Sequence, residues 1–223
     1  GGAIEIRADN GSITINDRLW SYSSAASKGG SGNAGNGGEI RLTARNDITM
    51  LATSLGIQAQ SNSNSGNASN GGKVTITSFE GNIKINGNRG LFSYSNGYTS
   101  GNGGSVTLRT PQGDIKVDGI RSSANQNAGA ITLISGGTID TSAGIINATG
   151  GSNGGALTLS APGNIATGEI TSFSSGFNGN SGNITIISGS GDIDTSAGAL
   201  ITSAAKGNGG NIILDAAGSI TVD

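Results

Sequence analysis

The feature that most constrains this chain is a short pattern that recurs eight times along its 223 residues. In every unit the fourth and sixth positions are aliphatic and the eighth position is small. Repeats of about 20–50 residues are typical of solenoids, in which each unit forms one coil and buries its apolar face against its neighbours. The spacings are 36, 34, 32, 25, 26, 27 and 28 residues, because the units begin at Gly1, Gly37, Gly71, Gly103, Ala128, Gly154, Ser181 and Gly209.

Each unit contains alternating aliphatic and polar residues, which predict short strands rather than helices. The first alternation contains the pairs Ile4/Ile6, Ile40/Leu42, Val74/Ile76, Val106/Leu108, Ile131/Leu133, Leu157/Leu159, Ile184/Ile186 and Ile212/Leu214. A second strand is predicted at the isoleucine that follows a short Gly/Asn/Asp turn, at Ile13, Ile48, Ile83, Ile115, Ile139, Ile165, Ile193 and Ile220. A third, looser alternation is seen at Leu19 to Ser23, Ile57 to Ser61, Leu91 to Ser95 and Leu200 to Ala204.

These patterns predict an all-β fold, a single right-handed parallel β-helix over residues 1–223 with three strands per coil and about eight coils. Right-handed winding is the default for parallel crossovers. Parallel strands in adjacent coils lie about 4.8 Å apart, so seven intervals predict a rod roughly 34 Å long. We expect the chain to be a fragment of a longer protein because it begins inside the repeat pattern.

One asparagine stands directly before each of the seven internal units. We interpret this column as a structural ladder, in which side-chain amides bond along the stack as they do in cross-β assemblies. The alternative is that asparagine is merely common in Gly/Ser-rich loops, where it tolerates tight-turn backbone. The seven residues are Asn36, Asn70, Asn102, Asn127, Asn153, Asn180 and Asn208.

The composition excludes several classes of function. The sequence has no cysteine and no histidine, so it lacks a disulfide framework, a thiolate metal site and the commonest general base. A net charge of −2 gives no basic footprint for a nucleic-acid partner. The run from Gly29 to Ala34 approaches a calcium-binding nonapeptide, but Ala34 stands where the carboxylate ligand is required. We therefore predict no metal and no cofactor.

Charged residues concentrate in the middle units. An enzyme of the carbohydrate-cleaving β-helix type would use such a cluster of acids and bases, whereas a solvated mixed-charge surface is the simpler interpretation. We favour the surface and predict no catalytic residues. Asp140 and Asp194 recur in matched I-D-T-S-A-G segments, which indicates a role in turns. The cluster contains Lys84, Arg89, Lys116, Asp118, Arg121 and Asp140.

The few aromatic residues near the third alternation form a candidate ligand surface. Exposed rings stack on sugars, so these residues favour a glycan-binding module as an alternative function. They could equally pack under the long loops of the first coils. The residues are Trp20, Phe92, Tyr94 and Tyr98, with Tyr22 beside them.

A column of outward threonines on the first strand has two explanations. Regular threonine arrays can match the ice lattice, but an ice face needs a second threonine on every coil, and arginine, isoleucine and serine interrupt that second position. The β-propensity of threonine explains the column more simply. Its members are Thr75, Thr107, Thr132, Thr158 and Thr185.

The pattern G-G-x-I-x-L-x-A-x-G-x-I, quoted from the units above, resembles the repeat regions of filamentous-haemagglutinin-type large exoproteins, which are two-partner secretion passengers. The resemblance covers nearly all of the chain. It implies a right-handed parallel β-helix, export through an outer-membrane secretion pore, a secreted or cell-surface location, and a role in adhesion or matrix building. The sequence departs from that family in its longer units and in lacking a recognisable secretion domain.

The leading hypothesis is therefore a structural rod segment of a secreted bacterial surface adhesin or extracellular fibre. Its expected partners are the secretion pore and cell-surface or matrix glycans and proteins. Unpaired strand edges at both ends of the stack also predict end-to-end self-association.

Overall fold

The structure is a computed structural model that describes residues 1–25, 32–51, 56–63, 66–87, 90–97 and 101–223. Three groups from the sequence analysis lie outside the described residues: Gly29 to Ser31 of the glycine-rich run, Arg89 of the charged cluster, and Tyr98 of the aromatic surface. All the regular secondary structure in the described ranges is β-strand.

Short strands follow one another with the spacing that the repeats predict. Most have three or five residues, and the longest have seven. In chain order the strands of the described residues are β1 (Ile4–Ala8), β2 (Ile13–Ile15), β3 (Leu19–Ala25), β4 (Ile40–Ala44), β5 (Ile48–Met50), β6 (Ile57–Ser63), β7 (Val74–Ser78), β8 (Ile83–Ile85), β9 (Leu91–Asn96), β10 (Val106–Thr110), β11 (Ile115–Val117), β12 (Ile120–Ala124), β13 (Ile131–Ser135), β14 (Ile139–Thr141), β15 (Ile146–Gly150), β16 (Leu157–Ala161), β17 (Ile165–Thr167), β18 (Ile170–Ser174), β19 (Ile184–Ser188), β20 (Ile193–Asp194), β21 (Leu200–Ala204), β22 (Ile212–Ala216) and β23 (Ile220–Thr221).

Every strand pairs in parallel with the equivalent strand of a neighbouring coil, three strands away along the chain. Sheet one has eight strands in the order β1-β4-β7-β10-β13-β16-β19-β22, and sheet two has eight in the order β2-β5-β8-β11-β14-β17-β20-β23. Sheet three has seven strands, from β3 through β6, β9, β12, β15 and β18 to β21. The prediction of a parallel β-helix with three strands per coil is confirmed.

The register places equivalent aliphatic residues directly above one another. Ile131, for example, pairs with Val106 on one side and with Leu157 on the other, and all three side chains are fully buried. The fourth-position and sixth-position residues of the internal coils join one hydrophobic cluster that also contains the isoleucines of sheet two. Stacking of like side chains therefore forms one continuous core along the rod.

Where the eighth residue of a unit is serine or threonine, its hydroxyl group ties two coils together. The Oγ of Ser78 donates to the carbonyl of Asn46 at 2.7 Å and accepts the N–H of Gly81 at 3.0 Å. Thr110 repeats this arrangement in the next coil. Both residues are fully buried at this corner, where the chain leaves sheet one.

Sheet three has a more polar inner face than the other two sheets, which explains why its alternation is looser in the sequence. Inward-facing Ser93 is fully buried, and its Oγ donates to the carbonyl of Gly72 at 2.6 Å. Ser122 and Ser172 make the same bond to the second glycine of their own units, Gly104 and Gly155. Strands β12, β15 and β18 consequently form where apolar periodicity is weak.

The second residue of every unit is glycine, and the close packing of successive coils at this residue explains why. A Cβ atom at Gly129 would overlap the carbonyl oxygen of Gly104, the equivalent glycine one coil earlier. We call this set the glycine column. It contains Gly38, Gly72, Gly104, Gly129, Gly155, Gly182 and Gly210, and at each of these a Cβ atom would meet the carbonyl oxygen of the equivalent glycine before it.

Candidate functional site

The seven predicted asparagines lie in one column, where their side chains link successive coils. The Oδ1 of Asn70 accepts the backbone N–H of Asn102 at 2.9 Å, and Asn36, Asn102, Asn153 and Asn180 accept the N–H of the next asparagine in the same way. Bonds between two side-chain amides occur at two steps, from Asn127 to Asn102 and from Asn153 to Asn127. The column is thus built mainly from amide-to-backbone bonds.

We expect the substitution Asn153→Ala to lower the free energy of unfolding by about 1–2 kcal/mol, since it removes two bonds worth about 0.5–1.5 kcal/mol each. Asn153 accepts the N–H of Asn180 at 2.9 Å and donates to Asn127 at 2.6 Å. Chemical denaturation followed by circular dichroism measures the change. The control is Asn125→Ala, an exposed asparagine in the preceding coil that lies outside the column. Equal losses for the two variants would contradict a bonded ladder.

A second ladder, which the sequence analysis missed, lies at the turn before sheet two. Asn82 donates its N–H to the carboxylate of Asp47 at 2.7 Å, and Asp114 donates its N–H to Oδ1 of Asn82 at 2.8 Å. Asn164 and Asp192 continue the same relation in the later coils. Its signal in the sequence is an Asn or Asp directly before the isoleucine of most second strands.

The charged residues of sheet two lie in the predicted register. Lys116 pairs with Lys84 on one side and with Asp140 on the other, and its ammonium group forms an ion pair with Asp140. The hydrogen bond to Asp140 and, less strongly, the charge of Asp118 raise the pKa of Lys116, while the carboxylate of Asp118 accepts the N–H of Gly87 at 2.8 Å. A shallow concavity of about 280 Å³ is lined by the three stacked residues, whereas Asp118 lines a different one of about 340 Å³.

Hydrogen bonding determines the ionisation of the two aspartates in the matched segments. Partial burial acts to raise the pKa of Asp140, but hydrogen bonds from Lys116 and Ser142 outweigh it and lower the pKa. The pKa of Asp194 is lowered by hydrogen bonds from the side chain and backbone of Ser196. Each carboxylate thus caps the turn that follows it. The ammonium of Lys116 has a raised pKa because it donates to Asp140.

The aromatic residues lie on the outer face of sheet three in two neighbouring columns. Phe92 pairs with Gln58 on one side and with Arg121 on the other, and Tyr94 pairs with Gln60 and Ser123. Phe92 and Tyr94 are half-buried. The glutamines are almost completely buried although their strand positions face outward, and Gln60 donates to the side chain of Gln58.

Trp20 and Tyr22 lie in the same two columns, one coil before the glutamines. They are 43% and 44% exposed, and their ring centroids are 6.4 Å apart. The guanidinium of Arg18 lies 4.4 Å from the Trp20 ring centroid. Trp20 is therefore separated from Phe92 and Tyr94 by a complete coil.

A groove of about 720 Å³ lies on the outer face of sheet three. Small residues are stacked between aromatic ones on this face: the column runs from Tyr94 through Ser123 and Thr149 to Phe173, and the first three of these line the groove. Ser123 and Thr149 are the low part of this column, and Tyr94 lines the groove beside them. We call this concavity the sheet-three groove.

Arg121 lines the sheet-three groove and is exposed. Its guanidinium lies 5.9 Å from the ring centroid of Phe92. None of the ion pairs in the described part of the chain involves Arg121. From the sequence, Arg121 is expected near Asp118 and the charges of sheet two; it lies instead on sheet three, beside the aromatic rings. Arg121 also lines the 340 Å³ concavity with Asp118.

Within the described ranges, no helix is long and apolar enough to cross a lipid bilayer. Comparison with known proteins found no matching family model, no matching curated protein and no matching solved structure.

Proposed function

We propose that the chain is a rod segment of a secreted surface adhesin or extracellular fibre. The observation that carries this proposal is the uninterrupted stack: sheets one and two run through all eight coils, and one core fills the space between the sheets. In a solenoid each unit contacts only its neighbours, so the number of coils sets the length of the rod at about 4.8 Å per coil. Such a rod spaces and projects binding regions.

The sequence is consistent with export. It contains no cysteine, so no disulfide has to form or break during passage through a membrane pore. The repeat pattern resembles that of two-partner secretion passengers, which makes an outer-membrane pore the proposed secretion partner. Short strands that pair coil by coil also suit folding as the chain emerges, because each new coil needs only the preceding one as a template.

The test is the location of the protein on its native cells. Antibodies raised against the 223-residue protein are expected to label intact, unpermeabilised cells or extracellular fibres in immunogold electron microscopy. Brief protease treatment of the intact cells should remove the label, while a cytoplasmic marker enzyme survives. Label that appears only after permeabilisation would contradict the proposal.

The alternative of a carbohydrate-cleaving enzyme requires acids and bases that converge around one substrate. Lys116 and Asp140 are engaged with each other, and Asp118 lines a separate concavity. This arrangement supports the structural role over catalysis. Polysaccharide cleavage that is lost on Lys116→Ala would favour the enzyme instead.

A further inference from the structure

We propose that the sheet-three groove binds a carbohydrate chain that lies along the rod axis, with the carboxylate of one acidic sugar paired to Arg121. This inference concerns a lateral binding site and does not depend on the proposed role as a rod. It follows from the shape of the groove, from the chemistry of its lining and from the one cation among its described lining residues.

The groove is elongated along the rod. Its lining residues come from five successive coils, from Gln58 in the second coil to Ser175 in the sixth. Four intervals of about 4.8 Å give a length of roughly 19 Å. The volume of about 720 Å³ lies within the range of ligand sites. A long, open groove lined by five successive coils fits a linear polymer better than a compact metabolite.

The lining combines hydroxyl and amide groups with aromatic rings. Ser123, Thr149 and Asn125 offer donors and acceptors, and Phe92 and Tyr94 offer ring surface. Sugars have this same combination of hydroxyl groups and apolar C–H faces. The polar groups fix orientation while the rings supply contact area.

Other classes of polymer fit the groove less well. Strands β9, β12, β15 and β18 are each paired on both sides, so a peptide finds no free strand edge to extend. A nucleic acid brings one negative charge per phosphate, whereas the described lining of the groove contains a single arginine, on a chain of net charge −2. A carbohydrate therefore agrees best with the observed lining.

The charge of the groove defines which carbohydrate it takes. Arg121 is the only charged residue in the described lining, and the planar guanidinium matches a carboxylate in a two-bond geometry. Asp118 lines the adjoining concavity. Thr171 lies in the same column as Arg121, two coils further on, and its hydroxyl group bonds to the carboxylate of Glu169. These carboxylates disfavour a densely sulfated chain. The groove thus suits an unsulfated glycan with isolated uronic acid residues.

The experiment uses the folded 223-residue protein on an array of oligosaccharides. The probes are unsulfated uronic acid chains (hyaluronan, alginate and oligogalacturonate), neutral chains of equal length (cello- and chito-oligosaccharides), and heparin. We expect one or more unsulfated uronic acid chains to bind more tightly than every neutral chain and than heparin. Absence of binding to all the uronic acid probes, or tighter binding of neutral chains or heparin, would overturn the inference.

Two arginine variants of the same coil then test the site by titration calorimetry with the tightest uronic acid probe. Arg121→Gln is expected to weaken binding about tenfold or more, because it removes a charge-assisted hydrogen-bonded pair. Arg109→Gln is the control, since Arg109 is exposed on sheet one of the same coil. Equal affinities for the two variants would place the ligand elsewhere and refute the assignment.

A third variant tests the groove itself rather than the charge. Thr149→Trp fills the low part of the groove and is expected to abolish binding without changing the thermal unfolding midpoint by more than a few degrees, because Thr149 faces outward and is only half-buried. Retention of full affinity by this variant would show that the glycan does not lie in the groove.

Discussion

The substitution Ile131→Ala is expected to lower the free energy of unfolding by about 2–5 kcal/mol, the range for removing a buried isoleucine side chain from a packed core. Ile131 is fully buried between Val106 and Leu157, near the middle of the stack. The coils on both sides hold this strand in register, so the ends of the rod cannot rearrange to fill the space that the substitution leaves. Urea denaturation followed by circular dichroism measures the loss.

The matched control lies three residues further along the same strand. Ile134 points outward from β13 and is 36% exposed. Ile134 lies outside the core and keeps about a third of its surface in water, so its removal leaves no internal cavity. Ile134→Ala is therefore expected to cost about 1 kcal/mol, well below the loss at Ile131. Both variants remove the same atoms, so the difference between them measures burial alone. Similar losses at the two positions would show that Ile131 does not lie in the core.

The substitution Gly129→Ala is expected to destabilise the rod by about 3 kcal/mol, at the upper end of the cost of overpacking. A Cβ atom at Gly129 would overlap the carbonyl oxygen and carbon of Gly104 in the preceding coil. Both of these are backbone atoms, so no side chain can move aside to make room. The two coils have to separate locally, which strains the ladder bonds on either side of the site. The unfolding midpoint in denaturant reports the effect.

Gly119→Ala is the control for the glycine column. A Cβ atom at Gly119 would meet its nearest neighbour, the carbonyl oxygen of Ile145, at 3.5 Å, which is ordinary van der Waals contact. This substitution also restricts the unfolded chain, so it is expected to be neutral or slightly stabilising. If Gly129→Ala were equally neutral, the coils could not be packed as closely as the structure has them.

The coils and their stacking could be predicted from the sequence because the same physical requirement recurs in every unit. Ile83 and Ile85 flank an outward lysine, as a strand with one buried face requires, and Ile115 and Val117 repeat that pattern one coil later. With one core shared by all coils, aliphatic residues at equal offsets must stack. The strands of sheets one and two therefore begin where the alternation begins.

The sheet-three groove could not be predicted in the same way. The inner face of sheet three contains serines that bond to glycine carbonyls, so the hydrophobic pattern says little about the register of its strands. The concavity arises only when Ser123 is stacked next to Tyr94, residues that lie in coils of different length. Arg121 likewise meets Phe92 across coils rather than along the chain. Which side chains meet across coils in sheet three depends on the lengths of the loops, and the repeat pattern does not determine those lengths.

The direction of the backbone hydrogen bonds has a mechanical consequence. In all three sheets these bonds connect one coil to the next, so they lie parallel to the long axis of the rod. A tensile load along that axis acts on the three strands of a coil together. A coil that detaches then extends to the full contour length of its chain. Each of the later coils, with 25 to 28 residues, would release roughly 80–100 Å of chain. A rod built in this way extends under force in discrete steps, one coil at a time.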